Sequence, residues 1–99
     1  MSERSYSGLT SEQVQQIFDS LAPAGWRPTQ IRGYAWGNES RFDVIWEDKE
    51  GPAWVMYHDM TQATYSAHNQ DLTFGGYHLV LESTWSVNGE PRFWAMWEQ

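Results

Sequence analysis

The sequence predicts an α+β fold made of two β-α-β-β repeats, giving a mostly antiparallel sheet with two helices packed on one face. Three observations lead there: the chain repeats itself at an offset of 51 residues, one segment is a well-marked amphipathic helix, and hairpin signals recur at equivalent places in both copies. Tyr6–Glu47 lies over Tyr57–Glu98 without a gap, and nine of 42 positions are identical. Unrelated segments of this length would share roughly two or three. The reading is one domain over residues 1–99, formed by repeats at about 3–48 and 54–99.

A short first strand is expected near Arg4–Ser7. Thr10 then reads as a helix N-cap, with Gln13 completing a capping box. Val14, Ile17, Phe18 and Leu21 follow at i, i+3, i+4 and i+7, a single apolar stripe, and Pro23 and Gly25 end the helix. The next strand spans Trp26–Trp36, although Pro28 and Gly33 weaken it and an irregular loop is the alternative. In its copy, Tyr77, Leu79, Leu81, Trp85 and Val87 are expected on one face, with His78, Val80, Glu82, Thr84 and Ser86 on the other. Gly37-Asn38 and Asn88-Gly89 mark hairpins. In the strand after each, Phe42, Val44 and Trp46 share a face, as do Phe93, Ala95 and Trp97. Asp48–Pro52 is a polar turn, and Ala53–His58 is a strand leading to a second helix capped by Thr61.

Composition narrows the function. The net charge is −7 and the six Lys and Arg are scattered, which argues against a nucleic-acid partner. No apolar run approaches the ~18 residues of a membrane helix, and no signal-peptide pattern opens the chain, so a cytoplasmic location is expected. There is no cysteine. Seven Trp, five Tyr and four Phe must therefore supply most of a small core.

Gly8-Leu9-Thr10, the helix with Phe18 and Leu21, Gly25-Trp26-Arg27-Pro28, Gly33-Tyr34, Arg41-Phe42 and Ile45-Trp46-Glu47 together resemble the bacterial tandem repeat domain, a short Trp-rich repeat family. The second copy keeps His58, Thr61, Tyr65, Leu72, Gly76-Tyr77, Asn88-Gly89, Arg92-Phe93 and Trp97-Glu98. The resemblance implies an accessory or binding role beside hydrolase-type domains. It transfers no catalytic residue.

The motif Glu-x-Arg-Phe-x-x-x-Trp-Glu occurs in both copies and reads as scaffold, with charged ends pairing across the sheet. Divergence between the copies is more informative. The second helix places Tyr65, His68, Asn69 and Leu72 on the stripe that the first fills with Val14, Ile17, Phe18 and Leu21. These polar groups line a pocket, form a satisfied core, or mark a helix that is exposed in a degenerate copy. Trp94 and Met96 replace Asp43 and Ile45, which suits either an exposed stacking platform or a two-sided core.

His58, His68 and His78 lie in the second copy, but strand parity separates them, and no metal or other cofactor is expected. No nucleophile triad or phosphate loop is present. The leading functional expectation is a non-catalytic module that uses aromatic faces to bind a small molecule, carbohydrate or protein, with self-association into a homo-oligomer open. Its ligand contacts would be Tyr65, His68, Asn69, Trp94 and Met96. The alternative is a small cofactor-free isomerase, cyclase or hydrolase with a pocket under the second helix. There His68, or His58 oriented by Asp59, would be the general acid or base. An acidic protein binding a basic partner through the hairpin with Glu39, Asp43, Glu47, Asp48 and Glu50 is a third reading.

Overall fold

The computed structural model describes residues 2–99. Its elements run β1 (Glu3–Leu9), α1 (Ser11–Leu21), β2 (Arg27–Trp36), β3 (Glu39–Glu47), β4 (Trp54–Met60), α2 (Gln62–Phe74), β5 (His78–Val87) and β6 (Glu90–Glu98). Each strand of the second copy is its counterpart shifted by 51 residues. Thr10 caps α1 in a full capping box, its hydroxyl accepting from the Gln13 backbone while the Gln13 side chain accepts from the Thr10 backbone. Thr61 caps α2 through the Thr64 backbone. Gly25 and Gly76, both at positive φ, follow the two helices. Among the described residues no helix is long and apolar enough to cross a membrane.

The strands form two antiparallel three-stranded sheets, β1-β3-β2 and β4-β6-β5, where the sequence suggested one. The physical reason lies at β2 and β5, the strands along which the copies meet. They are joined through side chains instead of a backbone ladder: the Gly33 N–H donates to Ser83 Oγ at 2.9 Å, and the Trp85 indole lies against Gly33.

Equivalent bulges interrupt both sheets, between Tyr6 and Leu9 and between Tyr57 and Met60, and again between Pro28 and Gln30 and between Leu79 and Leu81. The last pair corrects the expected parity of β5. Leu79 pairs with Trp97 while Leu81 pairs with Met96, so the extra residue Val80 turns Leu81, Trp85 and Val87 to the face opposite Leu79.

The consequence is a head-to-tail packing of the copies. Phe42, Val44 and Trp46 share a core with Val14 and Leu21 of α1, so this face of the first sheet is its helix face. The same core includes Met56, Trp85, Trp94 and Met96 of the second sheet. That sheet packs its own helix on the other face, where Met60, Ala95 and Trp97 meet Tyr65 and Leu72. The two helices thus do not lie over one shared sheet face. Arg27 fastens the junction from the side, donating to Glu98 at 2.6 Å and to the Pro52 carbonyl at 2.9 Å.

A Cβ on Gly33 would lie 2.2 Å from the Trp85 ring. Gly33→Ala is therefore expected to cost about 1–3 kcal/mol by overpacking. Thr84→Ala, at the exposed equivalent position in the second copy, should stay within about 0.5 kcal/mol. Urea unfolding of both variants checks the pair.

Candidate functional site

The structure brings Tyr65, His68 and Asn69 together on the inner side of α2, above β4 and β6. The Tyr65 ring stacks on Phe93, with centroids 4.6 Å apart and planes 3° from parallel. His68 stacks on Tyr57 at 3.8 Å and 11°. Asn69 Oδ1 accepts a hydrogen bond from Trp97 Nε1 at 2.9 Å. The Tyr65 hydroxyl is held above its usual pKa by burial first, and then by the neighbouring Glu82 carboxylate.

A comparison within the chain gives Asn69 its meaning. Its counterpart Phe18 packs edge-on between Trp46 and Trp54, and the buried Trp46 Nε1 has no hydrogen-bond partner among the described residues. Phe18 has an aromatic wall on both sides because α1 lies beside β4. Asn69 is half-buried like Phe18 but has a single indole beside it, and its amide satisfies the N–H of Trp97. No residue of α2 is fully buried, and Phe74 at its end is 97% exposed.

His58 and Asp59, adjacent in sequence, bond to different elements. His58 Nε2 lies 3.1 Å from the Ser11 carbonyl and 2.9 Å from Ser11 Oγ. With its proton on Nε2 the ring donates to the carbonyl, and with Nε2 unprotonated it accepts from the hydroxyl. The ring also stands edge-on to Phe42, 5.5 Å away. Burial holds its pKa below the usual 6.5, against the opposing pull of the Ser11 hydrogen bond and the Asp59 charge. Asp59 has positive φ (53°), where the first copy has Gly8. Its carboxylate accepts from Ser40 Oγ at 2.7 Å, and Ser40 Oγ accepts from Trp85 Nε1 at 2.9 Å. The chain Trp85–Ser40–Asp59 crosses the junction between copies. His78 is exposed at the start of β5. Among the described residues no three His, Cys, Asp or Glu side chains gather as a metal site would require.

Trp94 and Met96, expected either as an exposed platform or as part of a two-sided core, are 0% and 1% exposed. The head-to-tail packing buries this face of β6 under Phe42, with the Phe42 and Trp94 centroids 5.2 Å apart. The exposed-platform reading is therefore corrected.

One concave feature was not singled out from sequence. A groove of about 450 Å³ runs between α1 and β4, lined by Gln15 and Phe18 on one side and by the run Trp54–His58 on the other. The available signal was the strand Trp54–Met60 itself, which carries apolar and aromatic residues where β1 begins with Glu3 and Arg4.

Together these features define a tandem structural-repeat module. A family model described as "Polyglycine hydrolase-like, structural repeat" matches residues 3–49 and again 51–99, and the chain belongs to that family. A comparison with curated proteins finds no match.

Two predictions follow from the geometry. Asn69→Ala leaves the buried Trp97 N–H without a partner and is expected to destabilise the fold by about 1–3 kcal/mol, read from urea midpoints. For His58, a folded pKa below 6.5 means that the unfolded chain binds the extra proton first. Its contribution is therefore complete above pH 6.5 and falls away as pH drops through 6.5 towards the folded value. Wild-type stability should decline between pH 7.5 and 5.5 more steeply than that of His58→Gln.

Proposed function

We propose that the chain is a non-catalytic binding module that acts through surfaces presented by a repeat scaffold. The observation that carries this reading is the engagement of its most reactive-looking side chains. His58 is tied to Ser11, Asp59 to Ser40 and Asn69 to Trp97, and the His68 ring is stacked on Tyr57. Each holds part of the scaffold, and His58 and Asp59 turn to different neighbours, so neither orients the other for proton transfer. Membership of a structural-repeat family supports the same reading.

Aromatic area remains available for association. Tyr57, Trp36 and Phe74 are exposed, and Phe18 and Trp54 line the groove beside β4. Partly exposed aromatics of this kind supply contact area to small molecules, carbohydrates or proteins at low entropic cost.

Wild type and the double variant His58→Gln/His68→Gln are expected to show the same background turnover of chromogenic esters, amides and glycosides. A rate present in wild type and lost in the variant would overturn the non-catalytic reading in favour of the small-enzyme alternative.

A further inference from the structure

The groove between α1 and β4 has the construction of a peptide site. Its β4 side is lined by five consecutive residues, Trp54 to His58. Successive side chains of a strand point to opposite faces, so a cavity touching five in a row runs along the strand's edge and not over one face. β4 is an edge strand, hydrogen-bonded only to β6.

The direction of its backbone groups follows from the ladder. The Gln99 N–H donates to the Ala53 carbonyl at 2.9 Å, which makes Ala53 and Gln99 a hydrogen-bonded pair. Antiparallel pairs alternate, so Val55 opposite Trp97 and Tyr57 opposite Ala95 bond to β6, while Trp54 and Met56 turn their N–H and C=O groups outward. Among the described residues no turn, loop or inter-element backbone bond reaches Trp54 or Met56. The open edge therefore offers donors and acceptors at strand spacing, facing a helix that stands across the groove.

The same chain contains a control. β1 occupies the equivalent edge of the first copy and begins with Glu3 and Arg4, charges that discourage pairing. β4 has Trp54 and Val55 at those positions, and its first charge is Asp59, inside the bulge.

α1 carries two carboxylates outside the groove's lining, on its solvent side. Gln15 lines the groove, and Glu12 and Asp19 lie three residues before and four after it, on one stripe of α1. Asp19 accepts from the Gln15 amide at 2.9 Å, and neither carboxylate is paired with a cation among the described residues. Phe18 and Trp54 supply the apolar floor at one end.

We propose that this groove binds an extended peptide segment with apolar side chains and at least one Lys or Arg, which adds a fourth strand to the sheet at β4. The mode is strand addition: backbone hydrogen bonds to Trp54 and Met56 supply affinity, and Glu12 and Asp19 select a basic sequence. The inference rests on the binding-module reading and specifies its ligand class.

The probes are capped nine-residue peptides of alternating Val and Thr with two Lys, the same peptides with Glu for Lys, and the Lys peptides N-methylated at alternate nitrogens. Fluorescence anisotropy gives affinity, and amide hydrogen exchange gives the site. The Lys peptides are expected to bind and to slow exchange at Trp54 and Met56, whereas Val55 and Tyr57, already bonded to β6, change little. The Glu peptides, or Glu12→Lys/Asp19→Lys protein with the Lys peptides, should bind roughly three- to tenfold more weakly at low salt. N-methylation should abolish binding. Absence of binding by the Lys peptides, equal binding of the N-methylated peptides, or indifference to charge would overturn the proposal. So would a dimer by light scattering with Trp54 and Met56 protected before peptide is added, because the occupant would then be a second copy. None of these outcomes depends on the turnover comparison that tests the non-catalytic reading.

Discussion

The structure depends on one aromatic junction, the contact of Phe42 with Trp85 and Trp94. Phe42 is fully buried, and its ring meets both indoles edge-on, with centroids 5.6 and 5.2 Å away. Edge-to-face pairs add to the stabilisation from area burial and fix relative orientation. In a chain of 99 residues without a disulfide, neither three-stranded sheet could bury both of its faces alone. The junction solves this by setting the helix face of the first copy against the opposite face of the second. Gly33 is the local condition for it, because any side chain there would occupy the volume of the Trp85 ring.

Head-to-tail packing also explains why the two copies diverged where they did. The helix face is buried in both copies, but the opposite face is buried only in the second. Trp94, Met96 and Met56 lie in the junction, and their counterparts Asp43, Ile45 and Ser5 lie on the outer face of the first sheet. Phe18 sits between two Trp rings, and its counterpart Asn69 has one. Burial differs between Trp94, Met96 and Met56 and their counterparts, whereas Phe18 and Asn69 are equally half-buried and differ in their aromatic neighbours. The divergence that looked like a site is in large part the record of which faces meet.

Local features were legible in the sequence because local physics determines them. The α1 cap and apolar stripe, the hairpins at Gly37-Asn38 and Asn88-Gly89 and the 51-residue offset all appear as read. The division into two sheets was not legible, since it turns on how the edges of β2 and β5 meet, and no residue pattern within either strand encodes that. The bulge at Val80 was also missed. It changes the parity of β5, and a period-two reading carries Leu79 and Leu81 to the same face when the chain places them on opposite ones. Asn69 was legible as an anomaly, but its partner Trp97 lies 28 residues away, so whether the amide was satisfied could be decided only in three dimensions.

The junction has a further effect on β4. Packing the second sheet against the helix face of the first brings β4 alongside α1, with His58 bonded to Ser11 near one end and Trp54 against Phe18 near the other. Between these two contacts helix and strand stand apart, and the groove is the space left between them. An edge strand exposed to bulk water is commonly blunted by charge, as β1 is by Glu3 and Arg4. At β4 the helix shields the edge from flat approach by another sheet, which relaxes the need for charges on the strand itself. The residues freed from that requirement, Trp54 to Tyr57, can then be apolar and aromatic, and they leave open backbone groups beside a helix whose outer side carries Glu12 and Asp19. The same packing that completes the core thus creates a narrow edge, accessible to a single extended chain more readily than to a whole sheet.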